Sequence, residues 1–158
     1  MAKKALFTLT LNGEDTEVAT APDATLLETL RDGLGVLSPK RGCNQGVCGA
    51  CTVLIDGLPV RACLTLTARC EGHDLRTMEG MNSDPVMATL QRHMVESGGV
   101  QCGFCTSGML LSARNLLAET PRPSRETVKS ALSGNLCRCT GYRTIVDAVC
   151  NAAEELTP

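Results

Sequence analysis

Eight of the ten cysteines fall into two sets of four, and this sorting limits the possible folds more than any other feature. The first set is Cys43, Cys48, Cys51 and Cys63, spaced C-x4-C-x2-C-x11-C. The second joins Cys102 and Cys105, a C-x2-C pair, to Cys137 and Cys139, which have only Arg138 between them. A disulfide between thiols that close in sequence would be badly strained, because the Cβ and torsion requirements are narrow. Two thiolates directed at one metal meet no such obstacle. The fold must therefore bring separate loops together twice, with four sulfurs at each meeting.

The opening C-x4-C-x2-C is the plant-type ferredoxin spacing for a [2Fe–2S] cluster. The surrounding "RGCNQGVCGACT" supplies Gly42, Gly46 and Gly49, which allow the unusual dihedrals of a short loop wrapped around an anionic group. Cys63 comes after the Asp56-Gly57 turn and completes the set. For residues 102–139, two close pairs suit the two irons of a second cluster, and they also suit one structural zinc. "CGACT" at 48–52 and "CGFCT" at 102–106 are alike, but the residues after them differ, which reads as convergence on a small ligand loop.

Around these loops the hydrophobic period changes along the chain. "ALFTLTLNGEDTEVAT" alternates Ala5, Phe7, Leu9 and Leu11 on one face and then reaches Asn12-Gly13, a strong hairpin signal. A helix comes next, with Asp23 as its expected cap and Leu26, Leu27 and Leu30 as its apolar stripe. A second hairpin turns at Asp56-Gly57, so the first part reads as an α+β domain over residues 1–78. The polar "EGMNSDP", residues 79–85, reads as a linker. Beyond it, four segments repeat at helical spacing: Val86, Met87, Leu90 and Met94; Met109, Leu110, Ala113, Leu116 and Leu117; Val128, Ala131 and Leu132, capped by Ser124; and Ile145, Val146, Val149, Cys150 and Ala153. Residues 86–158 thus read as an all-α four-helix domain.

Composition narrows the function. Hydrophobic residues make up 43% of the chain, enough for a core, but the aromatics are only Phe7, Phe104 and Tyr142. Scattered basic residues, a formal charge of −2 and so few rings for base stacking argue against nucleic acid. The N-terminal "MAKKALFTLTLNGEDTEV" lacks the apolar core and cleavage site of a signal peptide, and no apolar run reaches membrane-spanning length. A cytoplasmic chain rich in cysteine points to metal rather than disulfides.

"GCNQGVCGACTV", "QCGFCTSGM" and "GNLCRCTGY", in that order and separation, resemble the iron–sulfur subunit of the xanthine oxidase family of molybdenum hydroxylases. The resemblance covers nearly the whole chain. It implies a β-grasp ferredoxin-like domain followed by a four-helix domain, each with one [2Fe–2S] cluster. It implies Cys102, Cys105, Cys137 and Cys139 around a molybdenum-proximal cluster and Cys43, Cys48, Cys51 and Cys63 around a flavin-proximal one. Gln101 and Cys139 would contact a molybdopterin held by a large partner subunit, and FAD would sit on a medium one, in an (αβγ)2 heterohexamer. Substrates in the family include N-heteroaromatics, aldehydes, carbon monoxide and aromatic thioesters. Ser107 departs from the family pattern, where "CTPGM" has proline. No dinucleotide fingerprint or Walker loop occurs, which suits cofactors bound elsewhere. Cys70 and Cys150 are expected in cores; His73 and His93 have no vacancy to fill, since both cysteine sets are complete. Arg138 either screens a cluster or reaches solvent.

Overall fold

The computed structural model describes residues 4–157. The outermost ends of the two expected domains, residues 1–3 and 158, lie outside the described residues, as does the start of the segment read for a signal peptide. Strands β1 (Ala5–Leu11) and β2 (Glu14–Thr20) pair antiparallel across Asn12 and Gly13, both at positive φ. Phe7, Leu9 and Leu11 are buried and Leu6 and Thr8 are exposed, as the alternation requires. Strands β3 (Thr52–Ile55) and β4 (Leu58–Arg61) form the second hairpin, turning at Asp56 and Gly57. Strand β5 (Asp74–Arg76) lies parallel to β1 and antiparallel to β3, so the sheet order is β2-β1-β5-β3-β4.

One turn of α1 (Leu26–Glu28) widens into a π-helical turn over Thr29–Gly33. Its Leu26, Leu27 and Leu30 are fully buried and share a core with Phe7, Leu9, Val53 and Leu75. The cap is Thr25, not Asp23. The Thr25 hydroxyl accepts from the Glu28 amide, and the Glu28 carboxylate accepts from the Thr25 amide at 3.0 Å. This reciprocal T-x-x-E pair satisfies two orphan N–H groups, which Asp23, two residues earlier, does not.

Four helices complete the chain: α2 (Pro85–Glu96), α3 (Thr106–Glu119), α4 (Arg125–Leu132) and α5 (Arg143–Leu156). Asp84 caps α2 by accepting from Met87 N–H at 2.9 Å, and Ser124 caps α4 by accepting from Thr127 N–H at 3.1 Å. Met87, Leu90, Met94, Met109, Leu116, Val128, Ile145 and Val149 meet in one core. Ala131, expected on the apolar stripe of α4, is exposed, because Val128 and Leu132 alone turn inward. The architecture is α+β, a β-grasp unit followed by a four-helix unit. No helix among the described residues is long and apolar enough to cross a membrane.

The two units are firmly joined. Strand β3 is buried on both faces: Val53 belongs to the core under the sheet and Leu54 to the helical core. The expected linker is also structured. Met78–Gly80 forms a 3-10 turn, Met81 is buried in the helical core, and Pro85 is already the first residue of α2.

Candidate metal centres

The loop of residues 42–51 turns its amides inward. Gln45 and Cys48 donate N–H to Cys43 Sγ at 3.4 and 3.3 Å, and Cys43 N–H points at Cys48 Sγ at 3.4 Å. The Cys48 amide, then the Gln45 amide, pull the Cys43 thiol down to about 6. Asn44, Gly46 and Gly49 take positive φ to make the turn. Gly42 has ordinary φ but is held open for sulfur, since a Cβ there would lie 2.8 Å from Cys48 Sγ. Cys51 opens the approach to β3 and Cys63 comes just after β4, both buried, and Cys63 lies close enough to act on the Cys51 thiol. Burial pushes Cys51 up to about 11.

The second group forms where the chain enters α3 and where it leaves α4. Cys102 and Cys139 are exposed, with their sulfurs 3.5 Å apart. Cys105 occupies the N-cap position of α3, with Cys137 close enough to act on its thiol. The positive end of a helix of this length therefore faces the site and favours negative charge there. The Phe104 amide, then Cys139, lowers Cys102, whereas burial pushes Cys105 up to about 12. Burial opposes ionisation of Cys137, but the Thr140 hydroxyl at 3.1 Å and amide outweigh it and hold that thiol below its ordinary value. Cys137 N–H donates to the Tyr142 hydroxyl at 2.9 Å, and Tyr142 itself is strained at φ 70.

All eight expected ligands are thus brought together, but as four pairs: Cys43 with Cys48, Cys51 with Cys63, Cys102 with Cys139, and Cys105 with Cys137. Among the described residues no three His, Cys, Asp or Glu side chains gather as they would around one ion. A structural zinc takes four ligands at a single point. Each iron of a two-iron cluster needs two terminal thiolates, so two neighbouring pairs fit that group better than zinc. The donor amides and the α3 terminus suit its negative charge. Gln101 is exposed beside Cys102, and Arg138 is exposed. His73 is engaged by Asp56 at 2.6 Å and His93 by Glu155 at 3.0 Å, away from the thiols. Cys70 is fully buried in the sheet core, and Cys150 packs half-buried on the helical one. Ser107, at the proline position of the family pattern, donates to the Ser38 carbonyl at 2.6 Å. The roles of Thr140 and Tyr142, five residues or fewer from Cys137, were open to sequence reading but are not marked by any spacing rule.

Known proteins match this arrangement closely. A model described as a 2Fe-2S iron-sulfur cluster binding domain matches residues 13–95, and one described as a [2Fe-2S] binding domain matches residues 77–150. The chain is 48% identical over 92% of its length to the nicotine 6-hydroxylase small subunit of Paenarthrobacter nicotinovorans, covering 88% of that protein. It belongs to the iron–sulfur small subunits of the molybdenum hydroxylase family. This small subunit is also 45% identical to the nicotinate dehydrogenase small FeS subunit of Eubacterium barkeri, over 96% of each chain. It superposes on a chain of quinoline 2-oxidoreductase from Pseudomonas putida 86 with a TM-score of 0.91 at 45% identity, covering 97% of this chain and 96% of that one. Its relatives are iron–sulfur subunits of dehydrogenase and oxidoreductase complexes, and its matched domains are [2Fe–2S]-binding.

Proposed function

We propose that the small subunit carries electrons from a molybdopterin centre on a large partner subunit to FAD on a medium one, through two [2Fe–2S] clusters. Cys102, Cys105, Cys137 and Cys139 would hold the molybdenum-side cluster, with Gln101 and Cys139 at the pterin. Cys43, Cys48, Cys51 and Cys63 would hold the flavin-side cluster. Each cluster, when bound, supplies a one-electron carrier. The protein's own groups do the rest. In each quartet one pair has a buried member or members that exclude water, Cys51 with Cys63 and Cys105 with Cys137. The other pair, Cys43 with Cys48 or Cys102 with Cys139, is more open and leaves an edge for exchange with a partner. Amides of Cys43, Gln45, Cys48 and Phe104 directed at sulfur stabilise added negative charge and so raise the potential.

The observation that carries this reading is the sorting of eight thiols into four pairs. We assign residues 1–78 to the flavin side, 86–158 to the molybdenum side, and the assembly to an (αβγ)2 complex in the cytoplasm. The substrate class we infer is N-heteroaromatic, since the relatives above are named for nicotine, nicotinate and quinoline. Protein purified anaerobically should contain about four irons and four acid-labile sulfides per chain. Zinc in place of iron would sink the reading.

A further inference from the structure

Three hydrogen bonds close a ring at the second cysteine site. Cys137 N–H donates to the Tyr142 hydroxyl at 2.9 Å, Tyr142 N–H donates to Thr140 Oγ1 at 3.2 Å, and Thr140 Oγ1 lies 3.1 Å from Cys137 Sγ. The last contact has a direction. A Cys137 thiolate on iron carries no proton and can only accept, so the hydroxyl proton of Thr140 goes to sulfur. The Tyr142 amide occupies a lone pair of the same oxygen, and a hydroxyl that accepts one bond donates a stronger one. The backbone is bent to make this ring. Gly141 and Tyr142 are left-handed in succession, at φ 68 and 70, and a bulky residue stays in that region only where its surroundings hold it.

At the first site the sulfurs of Cys43 and Cys48 are met by main-chain amides, from Cys43, Gln45 and Cys48. At the second a side-chain hydroxyl stands in that place. We infer that Thr140 is a positioning residue for redox potential: its hydroxyl, donating to Cys137 Sγ, raises the potential of the second site and so decides how a single electron divides between the two. The inference rests on the proposed cluster sites. An added electron increases the negative charge on sulfur, and a hydrogen bond to a more negative acceptor is stronger. The reduced state therefore gains more from Thr140 than the oxidised state does, which is what raises a potential. The half-buried position of Thr140 limits how far water can replace its hydroxyl. The site gains one electron and the reductant, dithionite in the experiment below, loses one. No bond forms or breaks, and the hydroxyl proton stays on Thr140.

The test uses the assembled complex, after iron analysis of the wild type. Absence of iron there would overturn the proposed function and this inference with it; with both clusters loaded, the results bear on Thr140 alone. Thr140→Val keeps the shape and deletes the hydroxyl. In a dithionite titration followed by EPR, the potential of the helical-unit cluster should fall, and its share of a single electron relative to the first cluster should drop several-fold. The potential of the first cluster should stay where it is. Thr140→Ser keeps the hydroxyl and should restore the wild-type division. Tyr142→Phe removes the acceptor of the Cys137 amide but not the donor to sulfur, so it should lower the melting temperature and move the potential less than Thr140→Val does. Equal potentials in the wild type and the valine variant, or an equal shift in Tyr142→Phe, overturn the inference. A measurement on the wild type alone does not depend on any variant keeping its cluster. ENDOR on the reduced helical-unit cluster should show a coupled proton that brief exposure to D2O replaces, as happens to a hydroxyl proton and not to a hydrogen-bonded amide. Absence of such a proton would equally overturn the inference.

Discussion

Gly49 sits at φ +69, and an added Cβ would run into the carbonyl oxygen of Gly134 and the Asn135 amide group. The residue faces two constraints at once: a left-handed backbone and a neighbouring main chain that cannot yield as a side-chain tip could. Gly49→Ala should cost at least about 1–3 kcal/mol from backbone strain alone. It should also part the 42–51 loop from the 134–136 loop, so iron content should fall along with the melting temperature. Gly57→Asn provides the contrast: φ is +81 with nothing within 4 Å, and its cost should be small. Equal loss of iron in both variants would contradict the role given to Gly49. The glycines beside the cysteines were legible because a tight ligand loop demands them. The packing partner of Gly49 was not, since Gly134 is remote in sequence and no local pattern announces it. Asn135, buried at the seam of the two units, was illegible for the same reason: its partners Thr52, Ser112 and Gly49 come from β3, α3 and the first ligand loop. Thr25 is a different case, because its T-x-x-E signature stands in the sequence and Asp23, an equally good cap by residue type, competes with it two positions earlier.

At the scale of elements, the segment between the units acts as a strap. Glu79 accepts from the Leu37 and Ser38 amides at 3.1 and 2.9 Å, and from the Ser38 and Thr77 hydroxyls at 2.5 and 2.7 Å. Burial works against ionisation, but these donors outweigh it and hold the carboxyl below its usual range. Ser107 pulls on the same loop from the other side, so residues 37–38 are tied both to the strap and to the start of α3. Glu79→Ala should destabilise the protein by about 1–2 kcal/mol, the discounted worth of hydrogen bonds to an exposed charge. Exchange at the Leu37 and Ser38 amides should quicken. Unaltered exchange there would show that the loop is held by something else. Polar, turn-rich composition made residues 79–85 look like a tether, because composition reports solubility and says nothing of a distant partner. The four helices were plain for the opposite reason. Their apolar residues repeat at the helical period along a single stretch of chain, as Met87, Leu90 and Met94 do. The π-helical turn after α1 has no such signature.

For the whole molecule, the proposed function makes the two joined sites a relay, and a relay has a direction. Under the proposed order, electrons enter near Gln101 and leave from the 42–51 loop. Cys139→Ser places a harder oxygen donor on iron at the entry site, shifting that cluster's potential or losing the cluster. In a complex that still assembles, electron exit from reduced molybdenum should then slow, and flavin reduction with it. Cys48→Ser damages the exit instead. The helical-unit cluster should still be reduced by substrate, but its reoxidation by flavin should stall. The two variants therefore differ in what accumulates: reduced molybdenum in the first, a reduced helical-unit cluster in the second. Rapid-freeze EPR after mixing with substrate distinguishes these species. A normal rate of flavin reduction in the Cys139 variant, with no cluster reduction in the Cys48 variant, would reverse the order, and the 42–51 loop would then face the molybdenum subunit.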